Sequence, residues 1–214
     1  MKKLIIQICL FIVIVCLGYM CYQSISVPQQ FTKIKEVRYK AIVQKLKDIR
    51  SAQEAYKSVN YKYTHSFDSL ISFIKYDSMK VVRSIGSLSD DDIENGITEA
   101  TAIKMGKIIR DTVKVSALTN VFSADYPIDN LAIVPFTDQK YKFKMGATSI
   151  MTTSGLMAPV FEAKISNMEI FDNIRDTYDE LLLQENGEKL RLNKYPGLKV
   201  GDIKELNNNV GNWE

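Results

Sequence analysis

The period of the hydrophobic positions changes along the chain, and each change predicts a different element. Leu4 to Tyr22 reads LIIQICLFIVIVCLGYMCY, apolar on every side, with Gln7 as its one strongly polar residue. At a rise of about 1.5 Å per residue this run reaches about 28 Å, close to the hydrocarbon thickness of a bilayer. Tyr19 and Tyr22 stand at its far end, where amphipathic rings favour the headgroup level. Residues 1–22 are therefore expected to form a transmembrane signal-anchor that meets the membrane through residues 4–22. A cleaved signal peptide is the alternative, because Ser24-Ile25-Ser26 offers small residues at −3 and −1. Against it, the apolar run exceeds an ordinary signal core and Pro28 follows closely. No small residue precedes Cys16 or Cys21, which speaks against a lipoprotein.

Residues 23–30 are expected as a break, since Pro28 has no N–H to give to a helix interior. From Phe31 the pattern becomes amphipathic. Phe31, Ile34, Val37, Ala41, Ile42, Leu46, Ile49, Ala52, Tyr56 and Val59 recur mostly at three- or four-residue steps. They predict a long stalk helix within residues 31–62. Asn60–Ser66 reads as a turn, with Ser66 as N-cap of a short helix over Phe67–Lys75 and Asp68 near the positive end of its dipole. Lys80–Leu88 is expected as a strand, Ser89–Gly96 as an acidic loop and Thr98–Ile109 as a second short helix.

Beyond Arg110 the period shortens toward two. Thr112–Ser116, Leu131–Pro135, Tyr141–Met145 and Val160–Ile165 are expected as strands. Residues 168–192 fit helix or strand, Gln184-Glu-Asn-Gly187 reads as a hairpin turn, and Leu198–Val200 reads as a last strand. Asn207–Glu214 reads as an irregular tail. The fold class that follows is α+β: a transmembrane helix continuing into a long amphipathic helix, then a mixed domain over residues 63–214 with a mainly antiparallel sheet.

Charge separates the regions further. Residues 31–62 hold nine Lys or Arg against three acids, whereas residues 63–214 hold 17 basic and 22 acidic side chains. The whole chain is only +3, too little for an electrostatic grip on nucleic acid. Lys2 and Lys3 precede the apolar run, while Lys33, Lys35, Arg38 and Lys40 follow it. The cation count does not favour an outside C-terminal domain. A short basic tail before a long domain is nonetheless the usual signal-anchor arrangement, so the domain is expected outside the cytoplasm.

The chemistry-bearing residues are sparse. All three cysteines lie in the apolar run and His65 is the single histidine, so neither a cofactor nor a metal site is expected. Ser72-x-x-Lys75 matches a nucleophile spacing without its usual companions. Asp90–Asp92 and Glu94 lack the alternation of a calcium loop. Thr152–Gly155 reads as a loop, and Trp213 as a locally packed side chain. The chain is expected not to be an enzyme.

The run Ile49-Arg-Ser-Ala52-Gln-Glu-Ala55-Tyr56, followed by Asn60, Tyr63, Ser66 and Leu70, resembles the end of the amphipathic helix and the start of the head in type IV pilins and type II secretion pseudopilins. Their leader is not matched: Lys3 leads straight into Leu4, with no Gly before the run and no Glu at its fifth position. Asp125–Asp129, Pro159–Ala163, Tyr195–Gly201 and Asn207–Glu214 resemble an uncharacterised single-pass envelope family of Gram-negative anaerobes. These resemblances imply a non-catalytic, membrane-anchored structural or interaction subunit of a bacterial envelope assembly, in the inner membrane with its domain in the periplasm or at the cell surface. A stalk too long for one small domain to cover predicts self-association, or contact with another envelope protein, through Ile34, Val37, Ile42 and Leu46. Lys45, Lys47 and Arg50 are expected to face the acidic domain of a neighbour. The alternative is a membrane-tethered binding domain for a peptide or glycan, marked by an exposed aromatic cluster at Tyr126, Phe136 and Tyr141.

Overall fold

The computed structural model describes residues 2–94 and 96–214. One helix, α1, runs from Lys2 to Asn60. Over its first part the described side chains from Lys3 to Ile25 are exposed. This stretch is apolar and long enough to cross a membrane. From Phe31 onward the same helix is the spine of a head. Arg38, Ile42, Leu46, Ile49 and Ala52 are buried at three- to four-residue steps, and Phe31 is buried two turns before Arg38.

The expected break at 23–30 does not form. Pro28 lies inside α1, and Gln30 Nε2 donates to Ser26 Oγ across it at 3.1 Å. A proline removes one backbone bond and crowds the preceding turn, which bends a long helix without ending it when helix continues on both sides.

The turn after α1 is held by Gln53, a fully buried residue on the core stripe. Its amide donates to the Thr64 carbonyl (2.6 Å) and accepts from the Thr64 N–H (3.1 Å). This two-way bond does for the turn what a strand partner would do, leaving neither backbone group unpaired. Helix α2, Phe67–Tyr76, then starts at Ser66 as its spacing predicts, with Ser66 Oγ accepting from the Ser69 N–H. It buries Leu70, Phe73 and Ile74.

Strand β1, Ser78–Ile85, pairs antiparallel with β2, Ile109–Ser116. Between them the expected acidic loop contains a short helix, α3 (Asp90–Glu94), and the helix expected to end at Ile109 is shorter, α4 (Glu99–Lys104). After β2 come α5 (Ala117–Val121) and a single 3-10 turn at Ile128–Asn130. Leu131–Pro135 does not form the expected strand. It keeps one bridge, Ile133 to Lys142, because Leu131 and Val134 are drawn into the core rather than alternating along a sheet.

Strands β3 (Lys144–Met151), β4 (Met157–Ser166) and β5 (Gly197–Gly201) make an antiparallel sheet in that order. Thr152–Gly155 turns the β3–β4 hairpin, with Gly155 at φ +79°. Ser166 ends β4 and opens α6 (Asn167–Ile170) through a reciprocal bond with Glu169. After another 3-10 turn (Asp172–Ile174), α7 runs from Arg175 to Arg191.

Residues 184–187 are therefore helix, not a hairpin turn. Asn-Gly is strong turn chemistry, but Leu182 and Asn186 lie four apart on the buried side of α7, and Asn186 accepts a hydrogen bond from Asn167 (2.8 Å). Packing on the head overrides the local preference.

Candidate functional site

Two surfaces of the head lie against α1, and neither is continuous in sequence. The first is a cleft of about 450 Å³ lined by Tyr39, Lys189, Tyr195, Lys199 and Trp213, among others. Its wall is a buried polar chain. Tyr39 Oη donates to Asn167 Oδ1 (2.6 Å), Asn167 Nδ2 donates to Asn186 Oδ1, and Lys189 Nζ donates to Tyr39 Oη (3.4 Å). Burial, reinforced by nearby Glu185, pushes the Tyr39 phenol well above its ordinary value, against the bond to Asn167. Burial pulls Lys189 down, against Glu185. Tyr195 is pushed up to about 12 by burial and by Glu169 and Glu162. Its ring lies 5.7 Å from Lys164 Nζ. At the floor, a Cβ on Gly211 would lie 2.3 Å from the Trp213 ring, so the indole seats only over glycine. Asn212 fixes this corner by accepting from the Lys199 N–H and donating to the Gly197 carbonyl, both at 3.0 Å. The Trp213 Nε1 is buried without a partner among the described residues.

The second surface is a cavity of about 650 Å³ at the base of the head. Gln23, Ser24, Val27 and Pro28 of α1 face Asp176–Leu181 of α7 across it.

The structure separates the residues expected to meet a partner. Ile42 and Leu46 are fully buried in the head's own core, so they are not available to another chain. Periodicity showed the stripe; it did not show that the head wraps around it. Ile34 is half-buried, and Val37 is 61% exposed. Of the cations, Lys45 lies 5.2 Å from the Tyr126 ring and within 3.3 Å of its hydroxyl, which itself donates to Asp48 at 2.6 Å. Arg50 binds Glu214 at 2.8 Å and the Asn209 carbonyl at 3.2 Å. Both are turned to the head of their own chain. Lys47 is exposed on the opposite face. Arg38 is also drawn inward. It donates to the Ile170 carbonyl (2.7 Å) and Asn173 (2.8 Å), and its guanidinium lies over Phe136 and Phe171.

Tyr126, Phe136 and Tyr141 do not make one exposed cluster. Tyr126 stacks on Phe122 at 4.2 Å, Phe136 lies under Arg38, and Tyr141 lies beside Lys140. Ser72 is exposed on α2, and Lys75 is turned to Asp129 at 2.6 Å. In the acidic segment Asp92 pairs with Lys107, and the Asp91 side chain and Asn95 lie outside the described residues. Among the described residues no three His, Cys, Asp or Glu are grouped to hold a metal ion. No family model, curated protein or solved structure matches this chain.

The cleft escaped the sequence reading because Tyr39 and Trp213 stand at opposite ends of the chain. The only signal was the pairing of Gly211 with Trp213 two residues on.

Proposed function

We propose that this protein is a non-catalytic, membrane-anchored interaction subunit of a bacterial envelope assembly, with its head outside the cytoplasm. One observation carries the reading: a single helix serves two environments. Its first part exposes apolar side chains on all sides, and its second part is the core of the head. A helix that is apolar all round is stable when lipid or other helices surround it. The rigid continuation fixes the head's height and orientation relative to that surrounding. The helix-then-head order and the run from Ile49 to Leu70 support a pilin-like or secretion-associated role.

The test uses the full chain in its membranes. Resistance to carbonate extraction, digestion of the head by protease added outside the cytoplasmic membrane, and cross-linked species above monomer mass are expected. A head released free of residues 1–26, or a chain that stays monomeric under cross-linking, overturns the reading. A second reading, a tethered peptide- or glycan-binding head, is favoured by the Tyr39–Tyr195–Trp213 cleft. Quenching or shift of Trp213 fluorescence by glycan or peptide mixtures, with a monomeric chain, would favour it.

A further inference from the structure

Helix α7 lies alongside α1 in a fixed register. Phe31 meets the Tyr178 ring at 5.4 Å, Lys35 pairs with Glu185 at 2.7 Å, and Lys189 lies 5.6 Å from the Tyr39 ring. These contacts advance in the same direction along both helices, which places residues 147 to 150 apart in sequence at similar heights. Each presents an uncovered face. On α1 the exposed residues opposite the core are Lys33, Val37, Lys40, Gln44 and Lys47, at alternating four- and three-residue steps. On α7 the exposed face carries Glu180, Leu183, Gly187, Glu188 and Leu190. One face is basic; the other carries two acids and two leucines, with Arg191 exposed at its C-terminal end.

Three features of the α7 face are not accounted for by contacts among the described residues. Leu183 is 51% exposed and Leu190 is 59% exposed, seven residues apart and so on nearly one line. Between them is Gly187, in mid-helix, with nothing within 4 Å of where a Cβ would be. Glycine weakens a helix interior, and no neighbour among the described residues requires it there. A glycine between two exposed leucines is what a second helix needs in order to approach closely.

We infer that the outer face of α1 on one copy packs on the Leu183–Gly187–Leu190 seam of α7 on the next. The inference rests on the anchored reading above. Copies held in one bilayer stand parallel and at equal height. The α1–α7 register within a chain therefore also aligns the faces between chains. Val37 comes level with Gly187, Lys33 falls between Glu180 and Leu183 and their flanking turn, and Lys40 comes beside Glu188 and Leu190. The two faces differ, so the contact is head-to-tail and repeats from copy to copy rather than closing a two-fold dimer.

Cysteine cross-linking tests this cleanly, since residues 22–214 contain no cysteine. In full-length chain with Cys9, Cys16 and Cys21 replaced by alanine, Val37→Cys together with Gly187→Cys should give a ladder of dimers, trimers and higher species on oxidation in membranes. Co-expressed single variants, one tagged, should give a mixed dimer and no ladder. Lys33→Glu with Lys40→Glu should abolish the ladder, and adding Glu180→Lys with Glu188→Lys should restore it. A Leu17 photo-cross-linker in the anchor separates the two levels of the argument. If it captures higher species while the cysteine pair does not, the α1–α7 contact is wrong and the assembly reading stands. If neither yields species above monomer, both fall. A two-fold contact would show as a dimer from one single-cysteine variant alone, which also overturns the proposal.

Discussion

The two parts of α1 share a backbone and differ in what their side chains meet. Between Lys3 and Ile25 the described side chains are exposed on all faces, and Leu17 keeps 56% of its surface. Between Phe31 and Asn60 the helix divides into a buried stripe and a charged back, and Leu46 keeps none. An apolar residue therefore has opposite meanings in the two parts. In the head it is satisfied within the chain, and in the first part no described residue covers it.

The same substitution in both parts gives the largest expected contrast. Leu46→Ala should lower head stability by about 2–5 kcal/mol, because it leaves a cavity among fully buried neighbours. Leu17→Ala should leave it unchanged. Denaturant unfolding followed by Trp213, the single tryptophan, reads both. Equal losses would mean that the head depends on the anchor.

Asn167→Ala probes the polar joint between α1 and α7. It removes the acceptor of the Tyr39 hydroxyl and the donor to Asn186 Oδ1, leaving Tyr39 Oη only the longer bond from Lys189. Leaving buried polar groups unpaired should cost about 1–3 kcal/mol. Loss of Trp213 unfolding free energy in that range, with membrane retention intact, is expected. No loss would mean that water replaces the amide.

Acid gives a smaller effect. Burial raises Glu169 and Asp202, but Lys144 and Ser166 outweigh it at Glu169, and Lys199 and the Lys204 N–H outweigh it at Asp202. Both carboxyls thus lie below their ordinary values and hold protons less readily folded than unfolded. Their stabilisation is complete above the ordinary carboxylate range, about pH 4, and is lost as pH falls through the lowered values. Melting temperature between pH 6 and 3 should fall less in Glu169→Gln than in the parent chain. Identical pH profiles would remove Glu169 from the account.

The sequence disclosed whatever depends on local period and local caps. The α1 stripe, the Ser66 cap, β1, β4 and β5 were all legible because neighbouring residues fix them. Ile42 and Leu46 were assigned to a partner because periodicity reports that a face is covered and not what covers it. Lys45 and Arg50 were assigned to a neighbour's acidic domain, yet long side chains can lay their stems on apolar surface and reach groups far along their own chain. Asn186-Gly187 misled for the opposite reason, since a strong local turn signal was overridden by burial of Leu182 and Asn186.

Pro28 sits where these two environments meet, with the base cavity beside it. Its missing N–H leaves one rung out of the helix ladder, six residues beyond Tyr22. From there to Asn60 the helix is a lever of about 48 Å at 1.5 Å per residue, so a 20° swing at the proline carries its far end about 16 Å. The cavity between Ser24 and Asp179 lies beside Pro28. Because the helix is unbroken on both sides of Pro28, an angle set at that residue is magnified along the head, and a small bend at its foot becomes a large displacement at its tip.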